Sequence, residues 1–166
     1  MIRELVLSDY ASYSHLRSLG LNTDPTSFWA SDTEEKPNRA LRFKDTVVSS
    51  DDFILGCFSD GELVAIGGFH REPQIKLRHK GFIWGVYTHP DQRGKGIGKQ
   101  LMQAMIERAA SVKGLKQINL STRTDNLAAL KLYEQLGFER YGVEKNSSLI
   151  NGTFYHEIYL AKNITY

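Results

Sequence analysis

Cysteine, proline and excess charge are all scarce in this chain. One cysteine, Cys57, and four prolines stand among 166 residues. A single thiol excludes an internal disulfide framework and a cysteine-rich zinc site. No apolar run approaches the roughly 20 residues that span a bilayer. The first ten residues carry Arg3, Glu4 and Asp9 and read as an alternating strand, not a signal peptide. Lysine and arginine total 21 against 19 acidic residues, a net charge of +2, too small to argue for nucleic acid or a membrane as the main partner. Repeats, low-complexity tracts and Pro/Gly/Ser linkers are missing too, so residues 1–166 read as one domain. These absences place the chain in the cytoplasm, where the sequons at Asn119, Asn146, Asn151 and Asn163 carry no glycan.

What is present is a succession of short strands and helices. After a β-like opening at Ile2–Leu7, Ser8 or Asp9 is placed to cap a helix running to about Leu19, with Gly20 as its stop. Residues 21–32 read as loop. Pro37 fits the first turn of a second helix ending near Ser49. Phe53–Ser59 and Glu62–His70 are β-rich runs joined by Asp60-Gly61, a strong hairpin signal. Lys80–Thr88 (KGFIWGVYT) is a further strand, with Gly85 marking a bulge or close backbone approach. Gly98 to about Val112 is helical by the spacing of Leu101, Met102, Met105, Ile106 and Ala109. Gln117–Thr122 is a strand and Asn126–Leu136 a helix closed by Gly137. Strands at Glu139–Val143 and Thr153–Ala161, with Asn151-Gly152 turning between them, end an α/β layer architecture with a mainly antiparallel sheet.

Residues 89–99, HPDQRGKGIGK, lie between a strand and a helix. Gly94, Gly96 and Gly98 allow a sharp turn and close ligand approach. The following helix points its unpaired N–H groups and positive dipole end at the turn, and Arg93, Lys95 and Lys99 add charge. Together these features suit a phosphate. A P-loop would need Ser or Thr after its lysine, and a dinucleotide fingerprint would need glycine where Lys99 stands. The pattern left is Arg-x-x-Gly-x-Gly at Arg93, Gly96 and Gly98. Further on, DNLAALKLYEQLGF (125–138) sets Asn126 and Tyr133 seven residues apart, on one helical face.

With those two motifs the chain resembles the GCN5-related N-acetyltransferase (GNAT) superfamily. The resemblance runs from about Phe53 to Ala161 and is most specific in THPDQRGKGIG (88–98) and DNLAALKLYEQLGF. It implies an α/β (α+β) fold, with a mixed, mainly antiparallel sheet of six to seven strands and helices on both faces. It also implies acetyl-coenzyme A as cosubstrate, with no metal. Its pyrophosphate would sit on Arg93, Gly94, Lys95, Gly96, Ile97, Gly98 and Lys99. Its pantetheine arm would lie along Val86, Tyr87 and Thr88, and Asn126 would contact the cofactor. Tyr133 matches the family's general acid, a phenol near pKa 10 that protonates the departing thiolate.

The implied activity is acetyl transfer to a primary amine of a small molecule, amino acid or protein N-terminus, by direct attack in a ternary complex. A non-catalytic coenzyme A sensor or scaffold of the same fold is the alternative. The implied partners are the amine acceptor and, as among many relatives, a second copy of the chain. The base is where the match weakens. Some relatives carry a glutamate on the strand before the Asn-containing helix, where this chain has Ser121. Others carry a carboxylate on the bulged strand, and Lys80–Thr88 has none. A water relay, or a side chain from elsewhere such as His70, would have to substitute. Deprotonating a lysine-like amine at pH 7 costs about 4.6 kcal/mol, against about 1 kcal/mol for an α-amine, so a weak base favours amines of low pKa.

The other candidates read as structural. His15, His70, His79, His89 and His156 lack metal-ligand spacing, and His89 shapes the turn before Pro90. Cys57 reads as inert core and Trp84 as packing. Phe28 and Trp29 are equally placed as core or as acceptor wall. Tyr155 and His156 on the last strand have no direction fixed by sequence.

Overall fold

The computed structural model describes residues 1–164. Seven strands run β1 (Ile2–Glu4), β2 (Phe53–Ser59), β3 (Glu62–Arg71), β4 (Lys80–Thr88), β5 (Gln117–Arg123), β6 (Glu139–Ile150) and β7 (Thr153–Asn163). Four helices, α1 (Tyr10–Thr23), α2 (Asp32–Val47), α3 (Ile97–Ala110) and α4 (Leu127–Gln135), are set among them. The strands form one sheet in the order β1-β2-β3-β4-β5-β7-β6. Every pairing is antiparallel except β4 with β5. The expected sheet, mixed and mainly antiparallel, is what the chain forms.

Alternation along the strands divides the core in two. Phe53, Leu55, Ile118, Leu120, Ile158 and Leu160 face α3 and α4, against Leu101, Met102, Met105 and Leu130. Ile54, Ile66 and Tyr87 face α1 and α2, against Tyr13, Leu16 and Phe43. Period-2 side chains on a sheet covered on both faces give this result.

One break in that alternation positions the site. On β4, Ile83 belongs to the α3/α4 core, yet Tyr87, four residues on, belongs to the α1/α2 core. Gly85 lies between them at φ 64, and the β3–β4 register shifts between Ile66 and Gly68. A bulge adds one residue and flips every later side chain to the other face. The bulge inferred from Gly85 is therefore present.

Two helix ends differ from the sequence reading. Gly20 does not stop α1, which continues to Thr23. Its missing side chain serves packing, since a Cβ there would stand 3.0 Å from the Tyr87 ring. Pro37 is not in the first turn of α2 but at its sixth residue. The start is set instead by Ser31, whose hydroxyl accepts from the Glu34 N–H while the Glu34 carboxylate accepts from the Ser31 N–H. That reciprocal cap is strong enough to begin the helix ahead of the proline. Smaller differences are the start of α3 at Ile97 and the extension of β6 to Ile150. The Asp60-Gly61 and Asn151-Gly152 turns have both residues at positive φ, as hairpins of this type require. Among the described residues no helix is long and apolar enough to cross a membrane.

Candidate active site

β4 and β5 pair only at Lys80–Gln117, Gly81–Ile118 and Phe82–Asn119. Beyond Phe82 the strands part. β4 keeps its ladder to β3 as far as Thr88, and β5 keeps its ladder to β7 as far as Arg123. The facing edges of residues 83–88 and 120–123 are left without strand partners. Backbone amides and carbonyls need partners, so this gap is suited to an extended, amide-bearing ligand. A cleft of about 1260 Å³ occupies it and reaches from the α1/α2 face to the glycine turn.

At one end of the cleft the chain passes from β4 into α3. Gly94 and Gly96 are both left-handed, at φ 75 and φ 77, and Gly96 immediately precedes the helix. That conformation strains any residue with a Cβ. The first helical bond runs from the Gln100 N–H to the Gly96 carbonyl, 3.0 Å. The amides of Ile97, Gly98 and Lys99 therefore have no acceptor within the helix. The cleft wall here includes Arg93, Gly94, Gly96, Ile97 and Gly98.

The basic side chains of the turn are placed differently from the sequence reading. Arg93 donates to Asp24 at 2.7 Å and to the Thr88 carbonyl at 3.1 Å, tying the turn to the end of α1. Lys95 donates to Gln92 at 3.0 Å. Lys95 and Lys99 are exposed and outside the cleft wall. Anion attraction at this turn rests first on backbone amides and the helix dipole. His89 shapes the turn as expected, its Nδ1 accepting from the Asp91 N–H at 3.2 Å.

Val86, Tyr87 and Thr88 lie on the open edge of β4 and line the cleft. The Tyr87 ring is committed to packing against Gly20, and its hydroxyl bonds Thr23 Oγ1 at 2.9 Å. Asn126 caps α4, its Oδ1 accepting from the Ala129 N–H at 3.2 Å, while it also lines the cleft. Tyr133, two turns further along α4, is 8% exposed and lines the same cleft. Burial, aided by the charge of Glu157, pushes its phenol up to about 12, above the value of 10 expected from sequence. The hydroxyl is thus protonated across the neutral range.

Glu157 is the candidate site residue that sequence reasoning missed. It is buried, lines the cleft, and makes no salt bridge among the described residues. Ile158 and Leu160 fix the α3/α4 side of β7, so Glu157 projects from the opposite face beside Ser121 and Arg123 of β5. Burial raises its carboxyl above the usual range, and the Ser121 hydroxyl and the Arg123 charge only partly offset this. The available signal was an acidic residue next to Ile158 on the last strand, in antiphase with the apolar Ile158 and Leu160. A carboxylate therefore stands near the position where Ser121 replaces the expected one, supplied by the neighbouring strand.

The wall on the α1/α2 side is aromatic. Phe28, Trp29, His70, Phe82 and Trp84 all line it, with His70 stacked on Phe82 at 5.9 Å. Among them lies Arg17, buried, its guanidinium 4.7 Å from the Phe28 ring centre. Cys57 is buried in the core. Among the described residues no group of His, Cys, Asp and Glu is arranged to hold a metal.

Comparison with known proteins agrees with this geometry. Residues 19–138 match the acetyltransferase (GNAT) family. Over 121 residues the chain is 32% identical to mycothiol acetyltransferase of Kocuria rhizophila, a match covering 73% of this chain and 32% of that protein. It is 32% identical over 91 residues to the spermine/spermidine N(1)-acetyltransferase of Bacillus subtilis, covering 53% of this chain and 60% of that one. The matched region thus spans between a third and three fifths of these relatives' length. In fold the chain is similar to a phosphinothricin acetyltransferase of Sinorhizobium meliloti solved with AcCoA, with a TM-score of 0.87 at 19% identity, covering 99% of this chain and 88% of that one.

Proposed function

Since the chain belongs to the acetyltransferase (GNAT) family, we propose that it is an acetyl-CoA-dependent N-acetyltransferase acting on a primary amine. The observation that carries this reading is the open edge of β4, unpaired beyond Phe82 and continuous with the free amides at the start of α3. Acetyl-CoA has the matching shape: an anionic diphosphate joined to a flexible arm with two amides. The turn from Arg93 to Lys99 holds the diphosphate through backbone N–H groups, with Asn126 close by. Val86, Tyr87 and Thr88 take the arm as a strand would be taken. The bound cosubstrate supplies an activated acyl carbon.

The chain's own residues then manage two protons. Glu157 takes a proton from the acceptor ammonium, the amine nitrogen forms a bond to the acyl carbon, and the carbon–sulfur bond breaks. Tyr133 gives its proton to the departing thiolate, its phenolate takes the second proton shed by the new amide nitrogen, and Glu157 releases its own to solvent. The two steps reinforce each other. A charged Glu157 helps hold the phenol high, so once that carboxylate is neutralised the phenol becomes a better acid. An acyl-enzyme on Cys57 is disfavoured, because that thiol is buried in the core and not part of the cleft wall.

Five arginines and five carboxylates line the cleft, so its wall has no excess of either sign to attract nucleic acid or an anionic membrane. A homodimer would draw on the exposed Val143, Leu149 and Phe154 of the β6–β7 hairpin, and sedimentation tests it. The experiment for the activity is release of free thiol from acetyl-CoA across a panel of amines. Tyr133→Phe should lower kcat by about 10²- to 10⁴-fold and leave the calorimetric affinity for acetyl-CoA unchanged. Binding of acetyl-CoA without thiol release for any amine would instead mark a non-catalytic coenzyme A module.

A further inference from the structure

We propose that the acceptor is an amine that also bears a carboxylate, of the α-amino-acid class, with its carboxylate on Arg17 and its amine at Glu157. This rests on the acetyltransferase reading above and adds the acceptor's chemistry to it.

The first observation is an unsatisfied donor. Arg17 Nε donates to both oxygens of Glu35, at 3.0 and 3.1 Å, and Nη2 donates to Oε2 at 2.7 Å. Nη1 is buried and has no hydrogen-bond partner among the described residues, while the whole side chain is only 9% exposed. A buried charged donor without a partner is costly and uncommon, and a ligand is a frequent reason for it. Nη1 lies 2.9 Å from the place a Cβ on Gly85 would occupy. It is therefore packed against the bulge itself, on the cleft wall.

The second observation is Glu157, a buried carboxylate with no salt bridge among the described residues. Arg17 packs against Gly85 on β4, and Glu157 is paired with Arg123 at the end of β5. Both side chains line the cleft that opens where the two strands part.

Charge decides what fits. The ten charged groups of the wall sum to zero, and Arg39, Arg93 and Arg123 are held by Asp32, Asp24 and Asp125. A polycation would bring ammonium groups to a wall with no surplus carboxylates. A zwitterion brings one positive and one negative group to Glu157 and Arg17, and nothing else. The aromatic side of the cleft leaves an apolar surface for the rest of the molecule. A carbonyl of the cosubstrate could also pair with Nη1, so the test separates the two sources.

Thiol release from acetyl-CoA is measured with free α-amino acids, with the matching α-amino amides and with linear diamines. The free acids should exceed their amides in kcat/KM by ~10- to 100-fold, mainly through KM, as expected for one charge-assisted hydrogen bond. Arg17→Gln should abolish that preference while calorimetry shows unchanged affinity for acetyl-CoA. Amides or diamines serving as well as the acids would overturn the proposal, as would no turnover of any free acid. So would an Arg17→Gln protein that has lost affinity for acetyl-CoA, which would assign Nη1 to the cosubstrate. If the variant fails to fold, the acid-to-amide ratio of the unaltered protein decides alone. The acetyltransferase reading fails separately, by absence of heat on adding acetyl-CoA.

Discussion

At the scale of single residues, the proposed chemistry depends on groups whose burial has moved them from their ordinary behaviour. Glu157 must be ionised to accept a proton, and burial raises its carboxyl. The groups facing it are Ser121 and Arg123 on β5, Glu144 on β6 and Tyr133 on α4. The rate should therefore climb with pH through a value above that of an ordinary glutamate. Glu157→Gln should lower kcat and flatten that acid limb. The same substitution has an opposite effect on stability. A carboxyl whose folded pKa is raised binds its proton more tightly when folded, so stability is lost as pH rises from the unfolded value through the folded one. Glu157→Gln should accordingly melt higher than the unaltered protein at pH 7, with the gap closing below about pH 4. Thermal melts at the two pH values check this. Tyr133 could be proposed from sequence because it sits in a motif. Glu157 and Arg17 could not, because each acts with residues far away in the chain. Strand alternation gives Glu157 a side but does not say that β5 ends beside it or that the cleft lies above.

At the scale of elements, local patterns predicted most of the strands and helices, and Lys80–Thr88 has the bounds expected of it. The two errors had a common cause. Gly20 and Pro37 were read as punctuation, the usual role of their residue types, but neither acts on its own helix end. Gly20 makes room for Tyr87, and Ser31 with Glu34 overrides Pro37. The most consequential element is the start of α3. Gly96 holds φ 77 with no side chain near it, so substitution there acts through backbone strain and through charge. Gly96→Asp adds about 1–2 kcal/mol of left-handed strain and sets a negative charge where the helix dipole attracts one. We expect a folded protein whose affinity for acetyl-CoA falls by about tenfold or more, read by calorimetry.

At the scale of the whole molecule, one buried ion cluster joins α1 to α2 and supports the aromatic side of the cleft. Arg17 and Arg39 share Glu35, and Arg39 reaches Asp32 at 2.6 Å and Ser18 at 2.7 Å. Burial alone would raise the Glu35 carboxyl, but the two guanidinium groups outweigh it and hold it low. A carboxyl with a depressed folded pKa contributes stability above its unfolded value that is lost as pH falls through the folded one. Glu35→Gln leaves two buried guanidinium groups short of a partner and should cost about 3–5 kcal/mol at pH 7, with the difference shrinking in acid. Urea unfolding at both pH values measures it. None of this network was visible from composition, since its members are spread over 23 residues and a fold is needed to bring them together. The mainly antiparallel character of the sheet, by contrast, was legible in the hairpin turns and the alternation of strands with helices.

The central claim is that the open edge of β4 and the amides at the start of α3 are where acetyl-CoA lies. Hydrogen–deuterium exchange with and without acetyl-CoA tests it most directly. The account predicts slowed exchange at Val86–Thr88 and from Lys95 to Lys99, on one continuous surface. Saturating acetyl-CoA that leaves both segments exchanging as before would contradict it.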